Sequence, residues 1–197
     1  MTLAAGFADP VFQSQAVFRA VAAAMAEPGR PVALASDLAP PAPLLPTTAA
    51  VLLTLIDFET PVWLDDALGG EPVSDWLRFN TACPLVATPE GAAFAVLADP
   101  AACPAFDVFA QGTAEYPDRS TTLILQVQAM TASTGQRLSG PGIDGEIRFD
   151  AMPLPDGFWT SVADNRSLFP LGVDVILCAA DAIAALPRSV RPLGEVR

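Results

Sequence analysis

Residues 121–143, TTLILQVQAMTASTGQRLSGPGI, narrow the choice of fold more than any other part of the chain. Leu123, Leu125, Val127 and Ala129 alternate with Thr122, Gln126 and Gln128, a period of two that suits a strand, and Ile124 adds apolar area on the opposite side. A strand that is apolar on both sides belongs in the interior of a sheet, so the pattern predicts a central strand. The polar run 131–135 ends in glycine and predicts a hairpin connection, with 136–138 returning antiparallel to the first strand. Ser139-Gly140-Pro141-Gly142 then stops the returning strand, because Pro141 has no N–H for a ladder and the glycines favour turn geometry. Such a bend also lets another chain or a ligand approach the backbone closely.

Around this centre the other signals alternate between helix and strand. Asp9-Pro10 reads as a cap followed by proline at the first helical position, and Val17, Phe18, Val21, Ala22 and Met25 recur at spacings of three and four until Pro28-Gly29. A short strand is predicted at 31–34, and Pro40, Pro41, Pro43 and Pro46 make the connector that follows extended. Thr47 and Thr48 are positioned to cap a helix at 49–56 that is apolar nearly all round and therefore lies against the sheet. Strands are predicted at 61–64, 84–86 and 92–97, with a helix at 75–80 capped by Ser74. Asp99-Pro100 opens a short helix through Phe106, Val108 and Phe109 that closes at Gly112. Asp156 opens another helix, which carries Phe158, Trp159 and Val162, and a strand at 173–179 turns back through 180–182 into 183–188. The tail from Arg191 is rich in charge, proline and glycine and is predicted to fray. The mixture of hairpins and helix-containing crossovers gives an α/β layered fold with a mixed sheet, read as one domain over residues 1–197.

What the chain lacks narrows its chemistry. It contains no histidine, and all ten of its basic residues are arginine, so there is no lysine. A Ser-His-Asp triad, a histidine general base, a pyridoxal Schiff base and a Walker lysine are thereby excluded from this chain acting alone. A formal charge of −12 opposes nucleic acid and anionic membranes, and apolar runs such as 49–56 fall well short of the ~20 residues a spanning helix needs. The first residues show no basic stretch before an apolar block, which points to the cytoplasm. Cys83, Cys103 and Cys178 are widely spaced without a CxxC and read as buried reduced thiols, not as metal ligands.

Four features could carry chemistry. Gly140-Pro141-Gly142 could aim N–H groups at an anion, although it lacks the length of a dinucleotide fingerprint and a plain turn explains it as well. Asp57 and Glu59 could serve acid–base chemistry or hold a magnesium ion, but an exposed polar corner explains them better. Asp174 interrupts an apolar strand, where a carboxylate needs a partner, and Arg166 or Arg188 is near enough in sequence to supply one. Arg78, between Trp76 and Phe79, could grip a phosphate or phosphonate in a bidentate fork or pair with Asp75 at the surface.

In their order, the blocks SQAVFRAVAAAMAEPG (14–29), TAAVLLTLIDFETPVWL (48–64), LRFNTACPLV (77–86), GTAEYPDRSTTLILQV (112–127), LSGPGI (138–143), FPLGVDVIL (169–177) and LPRS (186–189) resemble the H subunit of the bacterial carbon–phosphorus lyase system. The likeness departs at 65–76, 100–110 and beyond Ser189. It implies a three-layer α/β/α sandwich similar to the large domain of pyridoxal-phosphate transferases, without that cofactor or any other. It also implies a homodimer that joins the G, I and J subunits in a core complex forming a ribose 1-phosphonate 5-triphosphate from ATP and a phosphonate. The subunit is then architectural, with no catalytic residue to carry over. Alternatively, it is a transferase subunit that holds a phosphorylated ligand itself, through Arg78, Arg188 and the turn Gly140, Pro141 and Gly142.

Overall fold

A computed structural model of the chain describes residues 4–194. Its frame is a six-stranded sheet made of β1 (Val32–Ala33), β2 (Val62–Leu64), β3 (Phe94–Leu97), β4 (Thr122–Gln126), β7 (Asp174–Cys178) and β8 (Ala182–Leu186). The strands lie in the order β1-β8-β7-β4-β3-β2. The inner run β2-β3-β4-β7 is parallel, while β8 pairs antiparallel with β7 and β1 antiparallel with β8. The sheet is therefore mixed, and β4 lies in its interior as its two-sided apolar pattern requires. Leu123, Ile124 and Leu125 are all fully buried.

Three helices cover one face. α1 (Pro10–Ala26) is capped by Asp9, whose carboxylate accepts from the Phe12 N–H at 3.3 Å, and its buried stripe is Val17, Val21 and Ala24. α2 (Pro46–Leu55) begins with proline at its first position and not behind a threonine cap. Thr47 and Thr48 fall inside its buried first turn, where Thr47 Oγ1 donates to the Ala179 carbonyl at 2.6 Å and ties the helix to the end of β7. α3 (Glu71–Thr81) starts earlier than the Ser74 cap predicts, because Pro72 is tolerated in a first helical turn. These helices pack on Val96, Ile124, Ile176 and Ile183, and each such side chain taken from water contributes roughly 1.5–3 kcal/mol.

The outer layer on the other face is composite. α4 (Phe158–Ser167) packs there beside a second, antiparallel sheet of β6 (Ile147–Met152), β5 (Ala129–Ser139) and β9 (Arg191–Leu193), in that order. Phe149, Leu138 and Trp159 meet Leu123, Leu125, Val175 and Leu177 in the second core.

This small sheet corrects the sequence reading in three places. Residues 129–139 do not fold back on β4; they form one strand paired with β6 and β9. The polar run that suggests a hairpin is an excursion within that strand, since Thr131 pairs with Asp150 and Gln136 with Phe149, leaving 132–135 without partners. Gly135 permits it: at φ +89° its backbone passes so close that an added Cβ would stand 2.4 Å from the Phe149 carbonyl oxygen. The start of the tail expected to fray, Arg191–Leu193, supplies β9, because Pro192 is buried opposite Leu138 on the edge, where its missing N–H costs little; residues 195–197 of that tail lie outside the described residues.

Two further departures are local. The helix predicted after Asp99 is broken into two 3-10 turns, Pro100–Ala102 and Phe106–Val108, since Pro104 between them cannot continue a helical ladder. The strand predicted at 84–86 reduces to a single parallel bridge between Leu85 and Val62. No described helix is long and apolar enough to cross a membrane.

Candidate functional site

The residues singled out from sequence do not come together in one place. Arg78 lies in the last turn of α3, 3.9 Å from Asp75, and both side chains are more than half exposed. The 140–142 turn ends β5, with the Ile143 N–H donating to the Gly140 carbonyl at 3.1 Å. The close approach that Gly142 permits is made by this protein's own helix: at φ +82° its Cβ position would fall 2.0 Å from the Ala26 carbonyl oxygen at the end of α1. A small cleft beside Gly142, about 100 Å³, is lined by Glu27, Pro28, Arg30, Ile143 and Asp144 among others, and neither Arg78 nor Arg188 reaches it.

Asp174 and Arg188 do meet. Arg188 Nη2 is 2.5 Å from Asp174 Oδ2, its Nε donates to Oδ1 at 3.2 Å, and its backbone N–H donates to the same oxygen at 2.8 Å. The guanidinium also donates to the carbonyls of Pro117 and Pro170 and to Ser120 Oγ. With the side chains only 14% and 16% exposed, the group joins β7, the segment after β8 and two further loops and has little capacity left for a ligand. Arg166 instead stacks over the Phe169 ring at 5.0 Å.

Asp57 forms the polar corner. Its Oδ1 accepts from Thr60 Oγ1 and the Glu59 N–H, and these bonds hold its carboxyl below the usual carboxylate range. Among the described residues no three His, Cys, Asp or Glu side chains cluster as metal ligands do. Burial raises all three thiols, with Cys103 and Cys178 pushed up to about 12, so they are protonated and poor nucleophiles near neutrality.

A larger cleft, about 600 Å³, lies where the small sheet meets α4, and sequence reading missed it. Gly135, Arg137, Arg148, Asp150, Trp159 and Leu193 line most of it. The register of β5 and β6 creates its character. Leu138 and Phe149 point into the core, so their neighbours Arg137 and Arg148, directly paired across the strands, both point outward. Like charges in direct opposition repel. Arg137 is balanced by Glu146, which it grips through Nε and Nη2 at 2.6–2.9 Å. Arg148 makes only a long contact, Nη1 to the Gly135 carbonyl at 3.3 Å, among the described residues. The one carboxylate among the described residues of the cleft wall, Asp150, accepts from the Ala151 N–H. The available signal was Glu146, Arg148 and Asp150 alternating with Ile147, Phe149 and Ala151, a period of two that marks β6.

The comparisons with known proteins agree along nearly the whole chain. The family described as "PhnH: Bacterial phosphonate metabolism protein (PhnH)" matches residues 5–192. A protein of Rhizobium meliloti (strain 1021) named alpha-D-ribose 1-methylphosphonate 5-triphosphate synthase subunit PhnH is 44% identical over 185 residues, 94% of this chain and 92% of the relative. A protein of Stutzerimonas stutzeri named putative C-P lyase subunit protein HtxG is 34% identical over 181 residues, 90% of this chain and 84% of the relative. With the six-stranded sheet, the four helices and nearly all of the small sheet inside the matched span, the chain belongs to the PhnH family of bacterial phosphonate metabolism proteins.

Proposed function

We propose that this chain is an assembly subunit of a carbon–phosphorus lyase core complex, needed for making a ribose 1-phosphonate 5-triphosphate from ATP and a phosphonate, and that its contribution is architectural. The observation that carries the assembly role is the outer face of α1. Val11, Phe12 and Phe18 are 75%, 70% and 58% exposed, and the whole helix contains no carboxylate in a chain that has 22. A helix face that is largely apolar, free of carboxylates and charged only by the exposed Arg19 suits burial against another polypeptide on an acidic protein. Trp76 Nε1 donates to the Ala4 carbonyl, and Gly6 lies against Leu53 and Asn80, so the segment leading into α1 passes the C-terminal ends of α2 and α3. Phe58 and Phe79, in the loop after α2 and near the end of α3, are exposed as well.

In this reading the chain is a single domain and a homodimer that joins the G, I and J subunits in the cytoplasm, where three free thiols are at home. Its layered sheet is kin to the large domain of pyridoxal-phosphate transferases, and the absence of lysine supports a fold that works without that cofactor. The names of the two relatives support the pathway. The test is reconstitution with this chain alone omitted: adenine release from ATP and methylphosphonate should disappear, and undiminished release would overturn the assignment. Phe12→Glu with Phe18→Glu should abolish co-purification with the tagged partner subunits while the far-ultraviolet circular dichroism stays that of the parent.

A further inference from the structure

Beyond the subunit role, the cleft between the small sheet and α4 has the makings of a ligand site. An arginine placed directly opposite another arginine is an arrangement that stability alone does not favour, and among the described residues only Arg137 has a carboxylate to offset it. The Arg148 guanidinium, which carries five N–H groups, uses one of them in a long contact to a backbone carbonyl among the described residues. It stands over a cavity of about 600 Å³, within the range of small-molecule pockets. The cavity is walled by Trp159, whose indole N–H has no acceptor among the described residues although the ring is otherwise packed against Phe149 and Phe158. Gly135, the last residue of the excursion, forms another part of the wall, in a conformation that no other residue fits without displacing Phe149.

We infer that this cleft binds a phosphoryl or phosphonyl oxyanion, with Arg148 as the principal contact and Arg137 behind it. A planar guanidinium fork matches two oxygens of a tetrahedral phosphorus group. The Trp159 N–H adds a neutral donor, and the indole offers a flat apolar wall to whatever organic group the phosphorus carries. Asp150 sets the opposite requirement: a bare polyanion that filled the cleft would meet its carboxylate, whereas a ligand carrying hydroxyl groups would be accepted by it. The site is distinct from the Arg188 cluster and from the 140–142 turn, whose groups are already engaged within the fold.

The experiment is calorimetric titration of the full chain with methylphosphonate, inorganic phosphate, inorganic triphosphate and ATP, at low and at moderate salt. At least one should bind, more weakly at higher salt. Binding of methylphosphonate alone would identify a free phosphonate, and binding of triphosphate or ATP would identify the polyphosphate end of a nucleotide or product. Arg148→Gln should weaken that binding roughly tenfold or more, while Arg119→Gln, another exposed arginine outside the cleft, should not change it. In a nitrogen–proton correlation spectrum the Trp159 indole resonance should move on titration and that of Trp76, bonded to Ala4, should not. Absence of binding by any of the four anions, or equal weakening by both substitutions, would overturn the inference. Neither result bears on the subunit role, which the omission assay tests separately.

Discussion

Replacing Asp174 by alanine tests the buried ion pair. The substitution removes three donor–acceptor contacts from Arg188, two by its side chain and one by its backbone, and leaves a guanidinium whose side chain is only 14% exposed without its counter-charge. Breaking a buried pair from one side costs about 3–5 kcal/mol. The lower end applies here, because Arg188 keeps the Pro117 and Pro170 carbonyls and Ser120 Oγ. A loss of about 3 kcal/mol corresponds to a fall of roughly 6–12 °C in Tm for a chain of this size. Differential scanning calorimetry of the parent and Asp174→Ala measures it directly. Asp174→Ala with Arg188→Met should lose less than the sum of the two single changes, because the second substitution removes the charge that the first leaves stranded. A single variant melting within about 2 °C of the parent, or strictly additive losses, would refute the reasoning that a desolvated charge dominates this cluster.

Gly142→Ala and Gly145→Ala separate backbone strain from steric exclusion. Both glycines have positive φ, but nothing lies within 4 Å of the Cβ position at Gly145, whereas at Gly142 the Ala26 carbonyl stands 2.0 Å away. Urea unfolding should show a loss of about 1–2 kcal/mol at Gly145 and a distinctly larger one at Gly142, and equal losses would contradict the packing of the turn on α1. The thiols should be silent to a disulfide reagent at pH 8 in the native state and all titrate once the chain is unfolded; rapid native labelling of Cys178 would contradict its burial. A thiol whose proton is held more tightly when folded favours the native state fully below its unfolded value and loses that advantage as pH rises. The contribution of Cys103 and Cys178 should therefore decline from pH 9.0 towards about 12, measurable as a falling urea midpoint across that window. Incubation with pyridoxal phosphate should leave no dialysis-resistant aldimine absorbance from an internal site, because the chain has no lysine.

The period-two run at 122–126 established a buried central strand, because a segment apolar on both sides has only the interior of a covered sheet to occupy. Asp9-Pro10 fixed the start of α1, and the periodicity behind it fixed the buried stripe, since both signals are local to one helix. The absence of histidine and lysine settled which covalent and acid–base mechanisms are closed to the chain, a matter of composition that no fold can reverse. Asp174 announced that it needed a partner, but the choice of Arg188 over Arg166 depended on how β7 and β8 pair. Where a residue's role depends on a neighbour distant in sequence, the sequence was silent or misleading. The run 131–135 carries the chemistry of a hairpin, and only the presence of β6 alongside it turns that chemistry into an excursion within a continuing strand. Arg137 and Arg148 are eleven positions apart and unremarked in sequence; the register of two strands places them in opposition, and the packing of α4 beneath them makes a cleft. Local patterns decide what each segment becomes, because they act within a few bonds, whereas the meeting of charges across strands is decided by long-range pairing that no local pattern records.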